Sequence, residues 1–248
     1  MRKVIKILIT IFIITSNTVS IAHADTYKNL NEIQQSIYQH LQNRDETINF
    51  EFIGDKDEFK KSISQIITSA YSEDDYTERS WVKIDPSAQS ENNEIYTTIK
   101  VEYLTTKEQE SYVDEQIKNI LSQIIKPSMT DLEKVKVIND YLINKYDYDY
   151  SLKSNNAYSA LLTGKAICQG YALTAYKMLT AEGIKNRIIV GSVNSISHSW
   201  NYVCINNKWY HLDITDDDST RSNKYYLCDD STLEKDRYVW NKAAYPAN

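Results

Sequence analysis

The sequence predicts an α+β chain, and three observations carry that expectation. The first half alternates period-two segments with helical ones, a helical segment runs from Cys168 toward Gly183, and Asn206-Asn207 joins two alternating runs into a β-hairpin.

The chain begins with Arg2, Lys3 and Lys6, an apolar run from Ile7 to Ile14 and the small-x-small triplet Ala22-His23-Ala24, which is the pattern of a cleaved export signal. Residues 1–24 are therefore expected to be a signal peptide outside the fold, and the protein to be released outside the cell. The competing reading is an uncleaved anchor, but the apolar run is shorter than the ~20 residues of a spanning helix and ends in Ser16-Asn17-Thr18. No membrane span is expected after cleavage.

Thr47–Ile53 reads as a strand, and Phe59, Ile63, Ile66, Ile67 and Ala70 recur at helical spacing, giving a helix over Asp55–Tyr71. A second strand is expected over Tyr76–Asp85. Ile95, Thr97, Ile99, Val101 and Tyr103 alternate with polar positions as a half-buried strand, after which Tyr112, Gln116, Ile117, Ile120, Leu121 and Ile124 restore helical period. The expected first domain, residues 25–126, is thus a small β-α-β-β-α module. It assembles no reactive group and reads as a scaffold or docking domain.

Pro127 closes that helix, and Thr130-Asp131-Leu132-Glu133 opens the next with a capping box, in which the Thr130 hydroxyl and the Glu133 carboxylate satisfy exposed backbone N–H groups. A second domain is expected over 127–248. Its first helix turns Leu132, Val135, Ile138 and Leu142 inward, and a short helix starting at Ser154-Asn155-Asn156 stops at Gly164. The next helix follows Gly164-Lys165-Ala166-Ile167-Cys168 and ends at Gly183 in a left-handed cap. Cys168 then stands at a helix N-terminus, where unpaired N–H groups and the helix dipole favour a thiolate.

In the hairpin, His198, Trp200, Tyr202 and Cys204 alternate with Ser199, Asn201, Val203 and Ile205, and Lys208–Ile214 alternates again. Pairing Ile205 with Lys208 across the turn sets His198 and Asp213 diagonally on one face, ~7 to 8 Å apart along the backbone and within reach of each other's side chains. A thiol at a helix N-terminus, an imidazole and a strand carboxylate are what nucleophilic acyl transfer requires. Cys168 attacks as the thiolate, His198 moves the proton, and Asp213 orients the ring and stabilises its charged form.

Gly-Lys-Ala-Ile-Cys168-Gln-Gly-Tyr-Ala, His198-Ser-Trp-Asn-Tyr-Val and Lys208-Trp-Tyr-His-Leu-Asp213-Ile-Thr resemble the three core motifs of the bacterial transglutaminase-like superfamily. The resemblance is specific over residues 157–215 and looser over 130–156 and 223–248. It implies a papain-like α+β core, helices packed on an antiparallel sheet, with the nucleophile, base and orienting roles on Cys168, His198 and Asp213. The chain departs from the pattern at Asp216, where such sequences usually carry tryptophan, and at Ser199, where they usually carry alanine.

The function expected is a secreted cysteine-nucleophile enzyme acting on amide bonds of protein or peptide substrates through a thioester, conceivably in the cell wall. The alternative is a non-catalytic surface or wall-binding module that keeps the fold. Tyr158, Gln169 and Trp200 are the candidates for substrate contact, although Tyr158 is one of 20 tyrosines and Trp200, like Trp209, fits core packing equally well. His211 reads as an edge or surface residue. Asp216-Asp217-Asp218 reads as a solvated charged loop; calcium could bind there, but the run lacks the glycine and terminal glutamate of an EF-hand loop.

No zinc spacing is present among Cys168, Cys204 and Cys228, so no metal or other cofactor is expected. An odd cysteine count leaves at least one thiol unpaired; a Cys204–Cys228 bridge is conceivable, against the commoner case of buried thiols in strands. Loss of the leader removes three basic residues and no acidic ones, leaving 25 Lys and Arg against 34 Asp and Glu, a net charge of −9. That balance, with no basic run interleaved with aromatics, disfavours nucleic acid as a partner.

Overall fold

The computed structural model describes residues 10–12 and 24–247. The expected signal peptide lies outside the described residues, save for the three-residue strand Thr10–Phe12. The chain divides into two compact units, Met1–Lys107 and Glu108–Asn248.

In the first unit β1 (Thr10–Phe12), β2 (Asp25–Tyr27), β3 (Thr47–Ile53), β4 (Trp81–Glu91) and β5 (Glu94–Tyr103) form one sheet in the order β1-β4-β5-β3-β2. Helices α1 (Leu30–Gln42) and α2 (Lys56–Tyr71) supply Ile33, Ile37, Leu41, Phe59, Ile63 and Ile67 to a core completed by Ile48, Phe50 and Phe52 of β3. The period-two pattern of β3 and the helical period of α2 explain that layer directly, because each buries the single face its periodicity defines. Strand β2 and helix α1 are additions to the expected module.

The strand expected over Tyr76–Asp85 is corrected. The Asp74 side chain accepts from Thr77 N at 2.8 Å and from the Thr77 hydroxyl at 2.7 Å, and this cap turns Asp75–Glu78 into a short helix, α3. Strand β4 begins only at Trp81 and continues to Glu91, where a turn at Asn92, with φ of 48°, leads into β5.

The division between units falls at residue 107 rather than the expected 127, so α4 (Lys107–Ile124) is almost wholly in the second unit. The reason is local. Glu110 and Asp114 both pair with Lys177, and the Tyr112 ring meets Tyr158 edge-on at 5.4 Å, all inside the second unit. Next comes α5 (Asp131–Lys145), whose capping box forms with Thr130 N donating to Glu133 at 2.8 Å. Val135, Ile138 and Leu142 are buried, but Leu132 is half exposed rather than inward.

The remaining elements are β6 (Asp147–Tyr148), α6 (Ala157–Thr163), β7 (Lys165–Ala166), α7 (Cys168–Ala181), β8 (Asn186–Val193), β9 (Ile196–Ile205), β10 (Lys208–Leu212), α8 (Ile214–Thr220), α9 (Asp230–Lys235) and β11 (Tyr238–Trp240). An antiparallel sheet runs β10-β9-β8-β11, and β6 pairs in parallel with β7. The β9–β10 register pairs Ile205 with Lys208 and Leu212 with Asn201, set by Asn206 and Asn207 at φ of 52° and 63°, as a type I′ turn demands. Strand β9 is central and buried over Ser199–Val203, so it is covered on both faces. The fold of this unit is α+β, helices packed on an antiparallel sheet. Among the described residues no helix is long and apolar enough to cross a membrane.

Candidate active site

Cys168 is the first residue of α7, whose N-cap residue Ile167 makes no side-chain cap hydrogen bond. Close approach at Gly170 permits the placement. A Cβ there would lie 2.8 Å from the Ser154 carbonyl oxygen and 3.1 Å from the Ala166 side chain, so only glycine lets the helix start against the 154–166 segment. That segment is itself pinned, since the Asp149 carboxylate accepts from the backbone N–H groups of Ser151, Lys153 and Ser154.

His198 lies on β9. Its Nε2 meets Asp213 Oδ2 at 2.6 Å, and the same ring interacts with the Cys168 thiol. Asp213 caps α8, and its Oδ1 accepts from Asp216 N at 3.1 Å. Its side chain is fully buried. The hairpin register stops one pair short of Asp213, and the turn into α8 swings that carboxylate onto the imidazole.

Cross-braces hold the three carriers together. The buried Asn201 side chain on β9 donates to the Ala172 carbonyl of α7 at 3.0 Å. Tyr171 of α7 donates to Asp218 of α8 at 2.7 Å, and Tyr238 of β11 donates to Asp213 at 2.8 Å.

The electrostatics follow from this geometry. Burial pushes the Cys168 thiol up, but the hydrogen bond and charge of His198, with smaller help from Ser199, more than reverse it and leave the thiol below its ordinary value. Burial likewise disfavours a charged His198, yet the Asp213 carboxylate and the thiol raise the imidazole well above its usual range. Both shifts run in the direction of a thiolate–imidazolium pair.

Cys168, His198 and Asp213 are therefore brought together. The three proposed substrate contacts are not alike. Gln169 follows Cys168 in the first turn of α7 and is half-buried. Tyr158 is a half-buried residue of α6, packed on Tyr112. Trp200 is corrected: at 1% exposure it has no surface to offer a substrate. Its ring stacks beneath His198 at 5.8 Å between centroids and donates from Nε1 to His211 at 3.0 Å. Trp209 stacks on Tyr202 at 5.2 Å.

His211 is buried, not at an edge or surface as expected. Its Nδ1 accepts from Trp200 and its Nε2 bonds Asp230 at 2.9 Å; burial outweighs Asp230 and holds the ring below its usual range, in the neutral state. The acidic run is also corrected, because it forms helix α8 rather than a solvated loop. Its carboxylates diverge: Asp216 meets Tyr238, Asp217 accepts from Tyr225 N and Ser222, and Asp218 accepts from Tyr171. The only group of potential metal ligands among the described residues is His198, Asp213 and Asp216, and the hydrogen bonds just given already engage them. Cys204 and Cys228 are free thiols. Burial pushes Cys228 up to about 12.

Residues 118–214 match the transglutaminase-like superfamily. That likeness lies wholly within the second unit. The match ends one residue beyond Asp213 and includes all three residues of the constellation. No curated protein matches the chain. Among solved structures, a TGase shares 14% identity at a TM-score of 0.37, covering 68% of this chain and 51% of its own. A candidate cysteine protease from Cytophaga hutchinsonii shares 14% identity at a TM-score of 0.38, covering 64% of this chain and 65% of its own. The chain thus spans about half the length of the first and under two thirds of the second. Of the bracing residues, Tyr171 and Asn201 stand inside the quoted motifs without an assigned role, and Tyr238 lies outside them altogether.

Proposed function

We propose that this protein is an exported acyl-transfer enzyme that acts on amide bonds of protein or peptide substrates through a thioester on Cys168. The observation that carries the reading is the Cys168 thiol at the start of α7, hydrogen-bonded to an imidazole that Asp213 grips at 2.6 Å. The Cys168 thiolate adds to the amide carbonyl carbon, and the backbone N–H groups opening α7 receive the developing oxyanion. The C–N bond then breaks as the His198 imidazolium protonates the departing amine, which leaves a thioester and neutral imidazole. A second amine or water, deprotonated by that imidazole, attacks the thioester and restores the thiol. Amine gives cross-linking; water gives deamidation of a glutamine or cleavage of a backbone. Export rests on the expected leader, and the first unit is read as a scaffold or docking module.

The test is mass spectrometry of products formed from a peptide library with an added primary amine. Amine incorporation, deamidation or a cut backbone, each absent in Cys168→Ala, is the expected result. A wild-type protein that gives none of the three products, with or without amine, would favour the non-catalytic binding module instead.

A further inference from the structure

The Tyr238 hydroxyl lies 2.8 Å from Asp213 Oδ2 and 2.5 Å from Asp216 Oδ2. A phenol has one proton to donate, so it can bond only one of two carboxylates. At the other contact, lone pairs would face each other unless that carboxyl supplies a proton of its own. Asp213 Oδ2 already accepts from His198 Nε2, and its Oδ1 accepts from Asp216 N, which marks Asp213 as the anion.

We propose that Asp216 is a positioning residue that carries a proton, donates it to the Tyr238 oxygen, and so commits Tyr238's own proton to Asp213 and the His198 ring to its orientation. The chain of donors runs from Asp216 through Tyr238 to Asp213, which also accepts from His198. This proposal rests on the acyl-transfer reading of the site. It also gives Asp216, the departure from the family's usual tryptophan, a task at the triad.

The surroundings agree. Burial and the neighbouring Asp213 charge raise Asp216 above the ordinary carboxylate range, outweighing the opposing pull of Tyr238 and His198. Asp236 also faces it and adds to the rise, but is itself paired with Lys224 and bonded by Tyr225. Tyr148 of β6 feels both Asp216 and Cys168, and Tyr225 feels Asp216 and Asp213. Burial and the two carboxylates push Tyr238 far up, so it remains a phenol. When pH rises enough to take the Asp216 proton, two adjacent carboxylates compete for one hydroxyl proton and repel, and the imidazole loses its fixed partner.

The experiment pairs a carboxyl-carbon NMR titration of aspartate-labelled full chain, with Asp216 assigned through Asp216→Asn, with the pH profile of p-nitrophenyl acetate acylation of Cys168. The expected result is an Asp216 carboxyl still protonated at pH 7, and an alkaline fall in acylation rate that disappears in Asp216→Asn, whose amide keeps the donor but cannot ionise. Tyr238→Phe should lose roughly ten-fold or more at every pH, the worth of a hydrogen bond to a charged group. An Asp216 already ionised at pH 7 would overturn the proposal, as would an Asp216→Asn profile that superimposes on wild type. If no acylation occurs in any form, the acyl-transfer reading and the positioning role fail together, while the titration still decides where the proton sits.

Discussion

Replacing His198 by Ala tests the thiolate–imidazolium pair most directly. In the wild type the thiol is held below its ordinary value of 9.0 although burial opposes this, so His198 and Ser199 together outweigh burial. Remove the imidazole and burial is opposed only by the smaller Ser199 hydrogen bonds, so the thiol rises. A free thiol is ionised to only a few per cent at pH 7, so lowering its pKa raises the thiolate available for alkylation. The lower-pKa thiolate is intrinsically less nucleophilic, but with a Brønsted slope of about 0.4 to 0.5 its gain in population exceeds that loss, so the wild type should alkylate several-fold faster than the variant at pH 7. Iodoacetamide alkylation of Cys168, followed by peptide mass spectrometry to separate it from Cys204 and Cys228, reads this number. Because the folded thiol value is depressed, the wild-type rate should hold level from the raised imidazole value downward and fall only as pH drops through the lowered thiol value. The variant's rate should climb steeply through pH 7 to 9 and beyond. Equal alkylation of the two proteins at pH 7 would refute the pairing, whatever the fold.

Two further expectations concern the frame. Gly191→Ala would place a Cβ 2.2 Å from the Val239 carbonyl oxygen and 3.0 Å from the Trp200 ring, displacing β11 and with it Tyr238; a loss of about 1 to 3 kcal/mol in a urea melt is expected, with slower acylation. Asp217 is buried, and burial raises it to about 6 against an ordinary 3.8, so the folded state binds its proton more tightly than the unfolded chain and stability should decline as pH rises from about 4 to 6. Asp217→Asn should remove that decline, recovering up to about 3 kcal/mol at pH 7, and thermal melts across this range that show the same slope in both proteins would reject the assignment.

What was legible in the sequence followed from periodicity and turn chemistry. The Asn206-Asn207 turn fixed a register in which one residue of slip would have moved His198 to the other face, and the observed pairing is that register. The Thr130 capping box and the left-handed Gly183, at φ of 75°, are equally local signals. Helix α1 carried such a signal too: Asn29 caps it and Ile33, Ile37 and Leu41 recur at four-residue spacing, yet it was absent from the expected module. Tyr76–Asp85 misled because its aromatic and β-branched composition suits a strand, while the Asp74 cap, which decides the matter, lies just outside it. Trp200 and His211 alternate in sequence like exposed hairpin residues. They are buried because β9 is covered on both faces and α9 brings Asp230 to His211, facts about the rest of the sheet that no local pattern contains.

The same limit explains why Tyr238 could not be found beforehand. It sits 25 residues beyond Asp213, is one of 20 tyrosines, and joins the site only because β11 pairs with β8, whose Gly191 lies opposite both Trp240 and His198. The strand that closes the sheet thus also delivers the hydroxyl that touches Asp213. A carboxylate buried at this depth is costly unless its lone pairs are engaged, and Asp213 spends them on an imidazole, a phenol and a backbone N–H. Each of those partners comes from a different element, β9, β11 and α8, so the charge can be satisfied only when all three have docked. The buried carboxylate that bonds His198 is therefore also a check on assembly: a sheet missing β11 leaves Asp213 short of one donor.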